Sequence, residues 1–325
     1  MEPYNYSLLN EKREVRRSNT YYCRNLIWTF AGALVLYIIV SSRRVKEIPL
    51  SQEEIELLDN DTTISPLFKA FYKCAKPKLL PFKGDIKDFW YNYASATEQC
   101  DDLGAYEALD LRPSKNRDET KYVAFPHRNE NLTMVTLGIG HDVSAEVGLK
   151  TLYSNIEFFG ADPSPEQNKD LYELNLGGKY FQYAVSDQNG VSESVILEKE
   201  GYQKETTQHI SIDVFFKNIV QRSKIDILWI DIEGNEYAIL KELHKNGKLD
   251  REGVKICQMN VEMHKDLNDD PNTEMQPFYD FVWKVLDDKK YVLMKPYFVV
   301  FDRFRFIRLF IVNVGDKECT DLYVK

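Results

Sequence analysis

From about residue 130 onward, short unbroken apolar runs alternate with longer stretches of helical spacing. Residues 134–137, 156–161, 180–185, 225–230 and 254–263 read as strands, and the run at 225–230 has the continuous apolar character of a strand buried on both faces of a parallel sheet. Residues 144–153, 165–176, 211–220, 235–243 and 275–286 read as the helices between them, with Asn235 placed as an N-cap. Residues 191–197 read as an added strand in a hairpin or loop. Two adjacent strands, 291–300 and 306–314, surround a polar turn at Asp302 and Arg303. This alternation predicts right-handed crossovers and a mainly parallel sheet, and the adjacent pair at the end predicts an antiparallel finish.

Upstream of residue 130 the pattern differs. Residues 25–42, NLIWTFAGALVLYIIVSS, carry no charge. As a helix they span roughly 27 Å, close to a bilayer core of about 30 Å. Lys12, Arg13, Arg16, Arg17 and Arg24 precede the run, and Arg43, Arg44 and Lys46 follow it. The excess on the amino-terminal side predicts a cytoplasmic tail at 1–24, a single-pass signal-anchor helix at 25–42, and a lumenal remainder in a Golgi or other secretory-pathway membrane. Residues 43–64 read as a stalk and 65–130 as a cap, with helices at 66–72 and 85–98 and a polar loop at 110–120. Asn60-Asp61-Thr62 and Asn131-Leu132-Thr133 are glycosylation sequons. Cys74 and Cys100 form a candidate lumenal disulfide, with two free thiols as the alternative.

Composition narrows the function. A 43% apolar chain of 325 residues supports a full core, and a net charge of −9 without a basic patch argues against nucleic acid as a partner. In a doubly wound sheet the strand ends meet at one cleft. They deliver Gly138 and Gly140, then Asp162, then Val185, Ser186 and Asp187, then Asp231 and Glu233, then Glu262 and His264. Glycines after the first strand let backbone approach a ligand, and an acid about twenty residues on suits ribose hydroxyls.

The order TLGIG, FFGADPSPEQN, YAVSDQNG, LWIDIEGNEYAIL and NVEMH resembles the FkbM-type S-adenosylmethionine-dependent methyltransferases, over roughly residues 130–315. The most specific match is DIEGNEY, since that family carries D-x-E-G-x-E after its fourth strand. The resemblance implies a class I methyltransferase fold, seven strands with the last antiparallel, and S-adenosyl-L-methionine as cofactor in a domain at 131–325. It places Gly138 and Gly140 at the methionine part of the cofactor, Asp162 at the ribose, and Ala184 and Val185 at the adenine. Such enzymes usually carry an acid two residues before the first glycine, where this chain has Thr136. Asp142 is the expected substitute near the donor's amino group.

A methyl acceptor must be aligned and lose a proton. Asp231, Glu233 and His264 are the candidates for that work, and Glu236 falls in the first helical turn with a structural role. Asp231, Glu233 and Glu262 also form a candidate divalent-ion set, but nothing in their spacing requires a metal. The leading expectation is an O-methyltransferase acting on a hydroxyl of a glycan or small molecule. One alternative is a Golgi-type glycosyltransferase using Asp231-Ile232-Glu233 as a DxD-like metal site. Another is a non-catalytic binding protein on the same fold, motivated by Thr136.

Overall fold

The computed structural model describes residues 46–198, 201–266, 271–301 and 304–325. The expected tail, the expected membrane helix at 25–42 and the turn at Asp302 and Arg303 lie outside the described residues. Among the described residues no helix is long and apolar enough to cross a membrane.

The strands, in chain order, are β1 (Asp110–Lys115), β2 (Thr120–Phe125), β3 (Leu132–Leu137), β4 (Ile156–Ala161), β5 (Lys179–Phe181), β6 (Ala184–Ser186), β7 (Gly190–Glu198), β8 (Gly201–Ser211), β9 (Lys224–Ile225), β10 (Ile227–Ile230), β11 (Lys255–Ile256), β12 (Gln258–Asp266), β13 (Tyr291–Phe301) and β14 (Phe304–Asn313). Seven of them form one sheet in the order β13-β14-β12-β10-β3-β4-β5. The pairs β12–β10, β10–β3, β3–β4 and β4–β5 are parallel. β14 runs antiparallel to both of its neighbours. The mainly parallel sheet with an antiparallel finish is therefore present, and its topology is methyltransferase-like.

β10 sits centrally because every residue from Ile227 to Ile230 is buried, so both of its faces need cover. Its residues Leu228 to Ile230 lie against Val135 to Leu137 on one side and Met259 to Val261 on the other. That register brings the carboxyl ends of β3, β10 and β12 to one edge.

The helices are α1 (Gln52–Asn60), α2 (Pro66–Leu79), α3 (Ile86–Thr97), α4 (Ser144–Leu152), α5 (Pro165–Leu176), α6 (Ile212–Val214, continued by a π-turn at Phe215–Val220), α7 (Glu236–Leu240), α8 (Lys248–Arg251), α9 (Pro271–Asp288) and α10 (Lys317–Tyr323). α5 starts with a proline in its first turn and stops at Gly177, whose φ of 65° is a left-handed cap. The cap helices share the sheet's core: Phe89 meets Tyr279 at 4.9 Å, and Tyr93 meets Phe278 at 5.0 Å.

Several expectations are corrected. Residues 110–120, read as a loop, supply β1, which pairs with the unforeseen β2. The hairpin is fixed to β12 by side-chain amides, not by a ladder. Asn260 accepts from Tyr122 N–H at 2.9 Å and donates to its carbonyl at 2.8 Å, and Gln258 does the same with Ala124 at 2.7 and 2.9 Å. The stalk at 43–64 contains α1, capped by the Ser51 hydroxyl. The strand expected at 180–185 breaks in two, because β6 leaves the main sheet to pair with β8. β8 itself was not foreseen, and with β7 it completes the hairpin expected at 191–197.

Cys74 and Cys100 form a disulfide, as does the pair Cys257 and Cys319, which carried no expectation. The second ties α10 to the start of β12.

Candidate active site

The end of β3 touches the end of β10 through backbone. Gly138 has φ 79°, and a Cβ there would fall inside the carbonyl oxygen of Asp231. Glycine at 138 is thus required by a close approach between two chain segments. Gly138 N–H donates to the Ala161 carbonyl at 2.9 Å and Asp231 N–H to the Leu137 carbonyl at 2.9 Å, so the ends of β3, β4 and β10 are fixed together. Gly140, at φ 61°, faces open space.

Asp162 is buried and holds the glycine loop. Its carboxylate accepts from Ile139 N–H at 2.9 Å and from Ser164 N–H at 2.8 Å. Burial raises its pKa, against the opposing pull of these amides. Asp142 accepts from Ser144 N–H at 2.9 Å and Arg117 N–H at 3.2 Å, so it anchors the start of α4. The group standing beside Thr136 is Glu146, whose Oε1 accepts from the Thr136 hydroxyl at 3.1 Å. Glu146 is 3% exposed, and burial pushes its carboxyl up to about 7. Lys121, buried over the Trp229 ring and paired with Glu119, opposes that rise with its positive charge.

Glu146 and Lys121 were missed from the sequence. The signal for Glu146 was an acid on the apolar stripe of its helix, between Ala145 and Leu149, which are both buried. Lys121 had no such signal, because β2 itself was not recognised.

Asp231, Glu233, Glu262 and His264 converge. His264 Nε2 lies 3.7 Å from Asp231 Oδ1, 3.5 Å from Glu233 Oε2 and 3.4 Å from Glu262 Oε1. The convergence does not come from a continued strand. β10 stops at Ile230, and Glu233 takes a left-handed φ of 56° before Gly234 at 110°. This loop is held by Glu236, whose carboxylate accepts from Ile232 N–H at 2.9 Å and Gly234 N–H at 2.8 Å. Asn235, by contrast, makes no side-chain cap, so the expected N-cap is corrected. The other side of His264 faces the same carboxylate, with Nδ1 3.1 Å from Glu236 Oε1.

The electrostatics follow from crowding. Burial, then the carboxylates of Glu262 and Glu233, push Asp231 well above the usual range, although 36% of its side chain stays accessible. Burial also raises Glu233. Burial opposes charge on His264, but Glu236, Glu262 and Glu233 overcome it and raise its pKa. Glu262 is held below the usual range despite burial, by His264 and by Arg308, whose Nε donates to it at 2.7 Å.

A cavity of about 380 Å³ joins these parts, a size suited to a small-molecule ligand. Gly138, Gly140, Asp142, Glu146, Asp162, Ala184, Val185, Asp231 and Glu233 are among the residues that line it. His264 touches this group from behind. A second cavity of about 500 Å³ lies between the β1–β2 hairpin and β13–β14, lined by Lys121, Tyr122, Glu262, Lys295, Tyr297 and Arg308 among others. The acid–histidine group therefore stands between two cavities, with Lys121 facing both.

The family model described as Methyltransferase FkbM domain matches residues 75–318. An uncharacterized Caenorhabditis elegans protein, C28H8.7, is 23% identical over 314 residues, covering 93% of this chain and 97% of its own length. Similar solved structures include the precorrin-6y C5,15-methyltransferase of Geobacter metallireducens, at 11% identity over 58% of this chain and 83% of that one, TM-score 0.31. Another is Aeropyrum pernix fibrillarin with natively bound S-adenosyl-L-methionine, at 12% identity over 56% and 67%, TM-score 0.31.

Proposed function

This chain belongs to the FkbM-domain methyltransferases and its cofactor is S-adenosyl-L-methionine, and from that premise we propose that it methylates a hydroxyl oxygen of a glycan or small molecule. One observation carries the reading: Asp231 and Glu233, backed by the imidazole of His264, line the cavity that also holds the glycine loop and Asp162.

The residues fit the cofactor by their donor set. Tyr183, Ala184, Val185 and Ile196 give the cavity an apolar wall for a purine. Asp162 lines it as well, and Glu146 beside Thr136 offers a carboxyl for an ammonium group. Glu146, like Asp142, is a candidate for the duty of the usual acid, which weakens the motive for a non-catalytic protein on this fold, and the family match favours a methyltransferase over the glycosyltransferase reading.

When bound, the cofactor supplies a methyl already activated on a sulfonium. The protein then needs to align a hydroxyl oxygen in line with it and accept the hydroxyl proton. Glu233, whose proton affinity is raised by burial, takes that proton, and Asp231, beside His264, orients the acceptor. The second cavity, polar and flanked by Tyr122 and Tyr297, suits a hydroxyl-rich acceptor.

The reading extends to location. Two disulfides favour an oxidising compartment. The exposed Asn60 and Asn131 and the uncharged run at 25–42 support a glycosylated, single-pass Golgi or secretory-pathway protein with its catalytic domain in the lumen. Calorimetry of the purified chain against S-adenosyl-L-methionine tests the premise, and a screen of hydroxylated acceptors for S-adenosylhomocysteine release tests the transfer. Micromolar donor binding with acceptor-dependent release is expected. Failure to bind the donor contradicts the reading.

A further inference from the structure

We propose that Asp231, Glu262 and His264 bind one divalent first-row cation of the manganese type, with Glu233 beside it left free as the base and Glu236 as the group that orients His264. The proposal deepens the reading above, because it assigns acceptor activation to that same site.

The geometry argues for it first. One oxygen of Asp231, one of Glu262 and one ring nitrogen of His264 all lie within 4.8 Å of each other. Nε2 stands 3.4 to 3.7 Å from three separate carboxylate oxygens. A charge-assisted hydrogen bond would close one of these to about 2.7–2.9 Å. A cation with ligands about 2.0–2.2 Å away instead places neighbouring donors roughly 3.0 to 3.5 Å apart. Glu262 at 3.4 Å and Glu233 at 3.5 Å fall within that range and Asp231 at 3.7 Å lies just beyond it, all of them longer than a charge-assisted hydrogen bond.

The far side of the ring supplies a second, independent argument. Ligating histidines almost always donate their other ring N–H to a carboxylate or carbonyl, which fixes tautomer and ring orientation. His264 Nδ1 lies 3.1 Å from the fully buried Glu236, leaving Nε2 aimed at the oxygens. Glu236 is itself anchored by the amides of Ile232 and Gly234, in the loop that carries Asp231 and Glu233. On the opposite side Arg308 takes the other oxygen of Glu262 and leaves Oε1 toward the centre.

Donor chemistry selects the ion. Carboxylate oxygens suit magnesium, calcium and manganese, while an imidazole favours transition metals. A mixed set of one nitrogen with two oxygens points to manganese. Its position between the two cavities allows an acceptor hydroxyl to complete the coordination. The hydroxyl's proton then passes to Glu233, its oxygen forms the new C–O bond as the methyl–sulfur bond breaks, and that bond's electron pair stays on sulfur as the neutral thioether.

The test is a Mn²⁺ titration of the full-length protein, with free Mn²⁺ read by electron paramagnetic resonance and no donor added. One ion should bind with a dissociation constant on the order of 100 μM or tighter. His264→Asn, Glu262→Gln and Asp231→Asn should each weaken it at least tenfold, and Glu236→Gln by about 10- to 100-fold. Thermal melts establish that each variant is folded. Electron-spin-echo modulation on the wild-type protein needs no variant, and should show coupling to one imidazole nitrogen. No binding up to about 1 mM, no nitrogen coupling, or equal binding in the folded His264→Asn and Glu262→Gln proteins would overturn the site. Donor calorimetry in chelator separates the two claims: donor binding without Mn²⁺ binding removes the cation site and keeps the methyltransferase reading, and the reverse result does the opposite.

Discussion

Glu236 and His264 form a buried pair, 3.1 Å apart, in which the carboxylate also fixes the loop after β10. Glu236 is fully buried, so its carboxyl group depends on protein partners in place of water. Glu236→Gln keeps the shape but removes the charge. We expect a loss of about 1.5–3 kcal/mol, the worth of hydrogen bonds to a charged group. Urea denaturation measures it, and an unchanged midpoint would mean that the pair is incidental.

The approach of β3 to β10 gives a sharper contrast. Gly138→Ala must push a methyl into the Asp231 carbonyl, whereas Gly140→Ala meets nothing. Both positions have positive φ, which costs a non-glycine residue about 1–2 kcal/mol. Denaturation should show Gly140→Ala near that value and Gly138→Ala well beyond it. Equal losses would refute the contact.

Glu146 makes stability depend on pH. Its folded pKa of about 7 lies above the ordinary 4.5. Below 4.5 both states carry the proton. Between about 4.5 and 7 the unfolded chain loses it while the folded protein keeps it, so stability falls as pH rises, by up to about 1.4 kcal/mol per unit. Above about 7 this loss is complete. Denaturation of Glu146→Gln from pH 5 to 8 should therefore lack this downward component, and the variant should gain on wild type as pH rises. A constant difference across that range would contradict the assignment.

The disulfide loops are long, with sequence separations of 26 for Cys74–Cys100 and 62 for Cys257–Cys319. Chain-entropy reasoning gives about 3–4 kcal/mol for each. Melting with and without reductant should show a marked fall, and Cys319→Ser should reproduce part of it. Identical melting curves would show that the bridges do not constrain the unfolded chain.

Much of the architecture was legible because periodicity reports burial. The ranges 156–161 and 165–176 match β4 and α5 to the residue, and the edge carrying Gly138, Asp162, Asp231 and His264 followed from alternation alone. What periodicity missed depends on contacts distant in sequence. β2 is held by Gln258 and Asn260, more than 130 residues away. Asp231 and Glu233 are brought together by a left-handed Glu233 and by the carboxylate of Glu236, features that hydrophobic periodicity does not report. Asp142 was the expected substitute for the missing acid at 136; it lines the cavity, and so does Glu146, which a helical turn carries inward beside Thr136 and which periodicity did not single out.

The central claim is that the acids after β10 activate the acceptor hydroxyl, Asp231 by orienting it and Glu233 by taking its proton, during methyl transfer from S-adenosyl-L-methionine. The most direct measurement is the rate of acceptor-dependent S-adenosylhomocysteine release by wild type, Asp231→Asn and Glu233→Gln, alongside donor affinity for each. Positioned general bases contribute about 10² to 10⁴ in rate. The account predicts unchanged donor binding with turnover at least about a hundredfold slower in each variant. Wild-type turnover in both folded variants would contradict it.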